Sequence, residues 1–249
     1  KGLHPNLVCM GYHDAARLAI ERLNELGRQP INMDDSLSAV VKTAITGKTL
    51  AADMNHVTLL VKESLDGTTN KPRVICLPGG GLSDSELIQG VVVNKTTTLP
   101  LENEYREPIE TNVILLNSGM EPTKTDDNVQ VQLDMKGYSQ LKSSANNDVL
   151  QSAKQIIEAL GDKGMVFVRD GVSDSAVSYL KKNNVNVVRR IPESVIQSLS
   201  ASLGVPVHHS PSEGMSSVKT LIQEKEIDDV KYLFVEGDSP EVNTLVLRG

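Results

Sequence analysis

Three stretches of this chain carry residue types and spacings that could do chemistry. Gly79-Gly80-Gly81 runs into Leu82-Ser83-Asp84-Ser85-Glu86. A glycine cluster that opens a helix is a common cradle for phosphate, because backbone N–H groups and the helix dipole both favour an anion there. Asp66-Gly67-Thr68-Thr69 joins an acid to two hydroxyls, a donor set for a metal-bound nucleotide. His208-His209-Ser210 sets two imidazoles beside a hydroxyl, which suits metal or nucleophile chemistry.

Each stretch also has a plainer reading. A Walker-type loop needs Lys and then Ser or Thr directly after its last glycine, and the dinucleotide fingerprint needs a third glycine three residues on. Leu82, Ser83 and Asp84 stand there instead, and Asp84 and Glu86 put negative charge where phosphate would sit. Ser83 followed by Glu86 reads as the capping box of a short helix that Gly90 ends, with a strand over Val91 to Val93. The glycines are left as a place where the backbone can swing. The Asp66 stretch runs into Asn70-Lys71-Pro72 and reads as a hairpin turn. His208 and His209 have no third ligand or base at a recognisable spacing, so they read as a solvated strand end. Asp34-Asp35, Asp126-Asp127 and Asp228-Asp229 fall where caps and turns favour Asp. No catalytic residue, metal site or cofactor is expected in this segment.

The elements that would position these residues change character along the chain. Apolar residues at helical spacing predict helices over Tyr12 to Leu26 (Ala15, Leu18, Ala19, Leu23, Leu26), after Asp34-Asp35-Ser36 (Leu37, Val40, Val41, Ala44, Ile45), and over Ala51 to Glu63. Strands are predicted at 73–77, 91–94, 113–117, 129–133, 165–169, 185–189, 205–208, 219–226, 231–236 and 243–247. Helices are predicted at 148–160, 173–183 and 192–203. Strand, helix, strand, helix, strand from Gly164 to His208 implies a locally parallel sheet, whereas the closing strands read as an antiparallel meander.

Composition excludes several classes of function. A formal charge of −7 with both signs dispersed offers no basic stripe for nucleic acid and no polybasic patch for anionic lipid. Cys9 and Cys76, the two cysteines, lie far apart, which fits a reducing intracellular compartment. No apolar run reaches the length of a membrane span, and Lys1 in place of an initiator methionine points to a piece of a longer protein.

Several ordered stretches together resemble one family. Gly2-Leu3-His4-Pro5, then Gly79-Gly80 with Ser83-Asp84-Ser85-Glu86-Leu87-Ile88-Gln89-Gly90-Val91-Val92, then Val187-Val188-Arg189-Arg190, then Leu245-Val246-Leu247-Arg248-Gly249, are similar to the group II chaperonins. These are the archaeal thermosome and the eukaryotic cytosolic t-complex polypeptide ring. Leu115-Leu116-Asn117, Lys124-Thr125-Asp126 and Tyr179-Leu180-Lys181 fall in register with the likeness.

The resemblance implies an α/β fold of the chaperonin apical type, with β/β/α layers and a helical protrusion, preceded by a mainly helical part of an intermediate domain. It implies that 1–77 is the N-terminal half of the intermediate domain and that 78–249 is the apical, substrate-binding domain, its protrusion at about 136–164. The equatorial domain is absent, so ATP and Mg are implied only for the full-length parent, as are neighbouring subunits of a double ring. Non-native polypeptide clients are the implied partners, in the cytoplasm. The implied client contacts are Ser194, Gln197, Ser198 and Ala201 on the outward face of helix 192–203, with Met120 and Lys124 from loop 120–128. Tyr138 and Leu141 are the implied lid tip, near Ser143-Ser144-Ala145-Asn146-Asn147, where many members are rich in glutamate. Gly79, Gly80, Gly81 and Gly249 form the expected hinge, with Leu77 to Gly81 beside Arg248-Gly249. The rival from another class is a chaperonin-like interaction domain within a larger regulatory enzyme such as a lipid kinase. An α/β hydrolase using His208 or His209 comes last.

Overall fold

The computed structural model describes residues 2, 4–27, 33–48, 53–66, 71–97, 107–122, 135–161, 163–212, 214–239 and 242–249, with the backbone alone for 33–35 and 135–146. The chain divides into two compact units, Lys1–Met54 and Asn55–Gly249. Among the described residues no helix is long and apolar enough to cross a membrane. Cys9 and Cys76 are free and exposed.

The first unit holds α1 (Pro5–Leu26) and α2 (Met33–Ile45). Pro5 suits the first helical turn, where its missing N–H would have no partner anyway. His4 Nδ1 accepts from Asn6 N at 3.3 Å, and Gly27 N donates to Leu23 O at 2.8 Å to close the other end. The stripe expected to face a core instead stands open along α1, which has no buried residue. In α2, Val41 and Ile45 are buried as their spacing predicts. Asp34 and Asp35 fall in the first turn of α2, where an acid also suits the helix dipole.

The second unit takes in α3 (Met54–Leu65) and a mixed sheet with helices on both faces. In chain order the elements are β1 (Arg73–Leu77), β2 (Glu86–Val93), β3 (Ile109–Leu116), α4 (Met135–Leu160), β4 (Gly164–Val168), α5 (Asp174–Lys182), β5 (Val185–Val188), α6 (Glu193–Leu203), β6 (Val207–His208), β7 (Val218–Ile227), β8 (Val230–Glu236) and β9 (Asn243–Arg248). The sheet order is β1-β9-β2-β8-β7-β3-β4-β5, with β6 beside β3.

Strands β3, β4 and β5 run parallel, as does the β3–β6 pair, which is the outcome expected of the alternating pattern. Successive residues of a strand point to opposite faces, so β3 and β4, buried on both, read as unbroken apolar runs. Val113, Leu115, Met165 and Phe167 meet Ile196, Leu199 and Leu203 of α6 on one face. Ile114, Leu116, Val166 and Val168 meet Ala153, Ile156 and Leu160 of α4 and Ala176 and Leu180 of α5 on the other. A third cluster packs Leu77, Val92 and Val246 against Tyr232 and Phe234.

Four local expectations change. Only a single 3-10 turn forms at Leu82–Asp84, where Gly81 N donates to Asp84 Oδ2 at 2.8 Å; Glu86 already lies in β2, opposite Val246. Ladder bonding to β9 outweighs the local cap, and Gly90 sits inside the strand. The closing meander is limited to the β7–β8 hairpin, since β9 leaves to lie between β1 and β2. Asp66 closes α3, its N donating to Glu63 O, so the acid of that stretch ends a helix; Gly67-Thr68-Thr69 lie outside the described residues. Helix α4 begins at Met135, thirteen residues before the expected start at Asp148. The strand expected at 129–133 lies outside the described residues.

Candidate functional site

Helix α6 has one buried face and one exposed face. Pro192 precedes it with φ −56°, and Gly204 ends it in the left-handed conformation at φ 65°, as their residue types require. Ile196, Leu199 and Leu203 point into the core, and Val195 packs partly against it. Ser194, Gln197 and Ala201 are exposed, and Ser198 is half-buried. Ser198 Oγ donates to Ser194 O at 2.8 Å, which ties its hydroxyl to the helix backbone, and the face is small and polar with Glu193 as its one charge, in the first turn.

The base of α6 is held against the segment that follows β3. Arg190 N donates to Asp170 O at 3.1 Å, Ile191 N to Val168 O at 3.2 Å, and Met120 N to Gly171 O at 2.9 Å. Loop 169–173 therefore bridges both segments that the sequence nominates for one surface. Arg169 and Asp170 pair within this loop at 3.0 Å, and the hydrogen bond to Asp170 holds the Arg169 guanidinium above its ordinary range. Met120 needs correction as a surface residue. It is 3% exposed and packs among Ile114, Val172 and Met215, because its bridge to Val172 aims the side chain inward. Lys124 lies outside the described residues. Tyr138 and Leu141 are placed by backbone alone, in the N-terminal half of α4.

Leu77 to Gly81 and Arg248-Gly249 lie beside each other. β1 and β9 are parallel neighbours in a register that sets Leu77 opposite Arg248. Gly79, Gly80 and Gly249 all take positive φ (73°, 84° and 154°), and a Cβ on Gly80 would lie 2.8 Å from Asp84 Oδ2. Gly81 is extended and donates to Asp84. Ser85 is the residue that sequence reasoning missed. It is buried, its Oγ accepts from Arg248 N at 3.0 Å, and its carbonyl accepts from His56 Nε2 at 2.9 Å. No local signal could have found it, since Arg248 is 163 positions away.

His208 is occupied structurally, its Nε2 accepting from Ser216 N at 3.1 Å and so holding the return loop into β7. Among the described residues no group of three or more His, Cys, Asp or Glu side chains converges as a metal site.

Comparison with known proteins gives one consistent answer. The sequence matches the TCP-1/cpn60 chaperonin family over residues 1–249. It is 28% identical over 267 residues to thermosome subunit beta of Archaeoglobus fulgidus, an alignment that covers 99% of this chain and 48% of that protein. The thermosome subunit of Methanopyrus kandleri is 27% identical, again over 99% of this chain and 48% of the relative. The chain thus spans about half the length of the curated relatives it matches. The solved open-state monomer of a group II chaperonin from Methanococcoides burtonii superposes with a TM-score of 0.64 at 22% identity, covering 100% of this chain and 59% of that one. That last likeness is one of fold.

Proposed function

The chain belongs to the TCP-1/cpn60 chaperonin family, and from that premise we propose that it is the polypeptide-binding and lid-bearing segment of an ATP-dependent group II chaperonin subunit. The observation that carries this reading is the two-faced α6, whose exposed side offers Ser194, Gln197 and Ala201, with Glu193 its single charge at the N-terminal end, while its other side is locked into the sheet. A rigid helix with a small polar outer face selects extended or partly folded chains by hydrogen bonding and shape, and it avoids the non-specific adhesion of an apolar patch. Ser198 joins these three; Met120 does not, because it is buried, and Lys124 stays a proposed contact on the adjoining loop.

In this reading 1–77 belongs to an intermediate domain and 78–249 to an apical domain, although β1 (Arg73–Leu77) pairs within the apical sheet through β9. The lid lies within residues 136–164, before the core-packed stripe of Val149, Ala153, Ile156 and Leu160, with Tyr138 and Leu141 at its tip. Gly79, Gly80, Gly81 and Gly249 flank the hinge, two chain crossings held parallel so that the apical part can turn as a body. ATP and Mg act in the full-length parent, which works in the cytoplasm as a ring of like subunits on non-native polypeptide clients.

Photoreactive residues placed at positions 194, 197 and 198 of the full-length subunit, assembled into its ring, test the reading. Client adducts are expected at all three. Their absence, with adducts from 138 or 141 instead, would move the client contact to the lid.

A further inference from the structure

Helix α3 stands outside the apolar clusters of its unit. Thr58, Leu60 and Ser64 are buried, yet none of the three clusters takes in a residue of α3. What ties its first turn to the sheet is polar: His56 Nε2 lies 2.9 Å from Ser85 O in a half-buried setting. A carbonyl only accepts, so this nitrogen carries the proton and the imidazole donates.

Ser85 is gripped from its other side as well. It is 3% exposed, its Oγ accepts from Arg248 N at 3.0 Å, and Glu86 directly after it enters the ladder opposite Val246. Upstream the backbone is held only locally. Gly81 N donates to Asp84 Oδ2 at 2.8 Å and Ser85 N to Leu82 O at 3.1 Å, while Gly79 and Gly80 sit at φ 73° and 84°. A glycine pair changes its dihedrals at little steric cost, so the long-range contacts of Ser85 decide where the Leu82–Ser85 turn rests. Those contacts reach 29 positions back to α3 and 163 positions on to β9. One residue therefore joins α3 to the chain's way into the sheet and to its way out.

We propose that His56 is a latch that fixes the angle between α3 and the sheet that carries α6. With Nε2–H bonded to Ser85 O the angle is held; once the bond opens, α3 separates from the Leu82–Ser85 turn, and that turn is free to swing on Gly79 and Gly80. A hydrogen bond of this kind biases an equilibrium by about two- to tenfold. That is enough to favour one arrangement and little enough for a domain motion to reverse. The purpose of the latch, setting where α6 points, rests on the polypeptide-binding reading; its mechanics do not.

The test uses the 249-residue chain with Cys9→Ser and Cys76→Ser, and spin labels on Leu59→Cys of α3 and Ser178→Cys of α5, both exposed positions. Pulsed electron resonance reads the distribution of distances between the labels. His56→Leu removes the donor and is expected to broaden that distribution about twofold or to add a second distance. His56→Gln sets an amide N–H near the place of Nε2–H and is expected to keep the parent's distribution. An unchanged distribution in His56→Leu overturns the latch. A glutamine variant as broad as the leucine variant overturns the hydrogen bond as its cause. Nitrogen NMR of the histidine rings in the unsubstituted chain needs no variant that could misfold. It is expected to show the neutral His56 ring as the Nε2–H tautomer, and an Nδ1–H tautomer overturns the proposal because that ring cannot donate to Ser85 O. Label distances in the free chain and photocrosslinking from α6 in the ring are separate readouts, so either reading can fail while the other stands.

Discussion

Gly90→Ala should be among the most damaging single-methyl additions available to this chain. Gly90 takes φ 143° in the middle of β2, where the strand passes from β9 to β8. A Cβ there would collide with Val235 O and would lie 3.0 Å from Glu236 Cα and 3.1 Å from Gly237 N, all backbone atoms of the partner strand and its end. None of these can rotate away as a side-chain tip would. The backbone conformation alone disfavours an L-residue by about 1–3 kcal/mol, and forcing extra volume into a packed contact adds about 1–3 kcal/mol. The expected loss is therefore about 2–6 kcal/mol, or a fall in Tm of roughly 10 °C for a chain of this size. Urea unfolding followed by circular dichroism measures it, with Gly161→Ala as the companion. Gly161 has φ 79°, and a Cβ added there would meet nothing within 4 Å, so that change carries only the left-handed strain, about 1–2 kcal/mol. If Gly90→Ala loses no more than Gly161→Ala, the close approach of β8 is not what requires glycine, and the reasoning about this crossing is wrong.

Other expectations follow from single contacts. Ser173 Oγ caps α5 by accepting from Ala176 N, so Ser173→Ala should lower stability by about 1 kcal/mol in the same unfolding assay. Gln197→Glu with Ser198→Glu should change stability by no more than about half a kcal/mol, since the first side chain is exposed and the second half-buried; client crosslinking in the assembled ring should fall. Ser85→Ala leaves Arg248 N without its acceptor and should cost about 1–2 kcal/mol, with faster hydrogen exchange at Arg248 than at Val246 as the local signature. The chain by itself should give no heat of ATP binding in calorimetry, because acids follow the Gly79 cluster where a phosphate loop needs lysine; micromolar affinity would refute that reading.

Period and punctuation were enough to determine much of this protein. The 3.6-residue spacing of Ile196, Leu199 and Leu203 between Pro192 and Gly204 specifies α6, its bounds and its buried side, because burial of one stripe and two terminal conformations are local demands. The doubly apolar runs of β3 and β4 likewise announce strands covered on both faces. The outward residues of α6 were legible as the complement of its stripe. Tertiary structure decided which strand meets which. Whether β9 follows β8 or crosses to β1 depends on closing long loops, whose cost changes only slowly with length, and no residue of β9 encodes the choice by itself. The same holds where a local motif lost: Ser83 to Glu86 satisfies a capping box on paper, yet the ladder with β9 bonds more backbone groups than one helical turn could. Met120 became core because Val172 pairs beside it, and Ser85 became a buried acceptor because Arg248 arrives from the far end of the unit. Periodicity reports that a face is buried; only packing names what buries it.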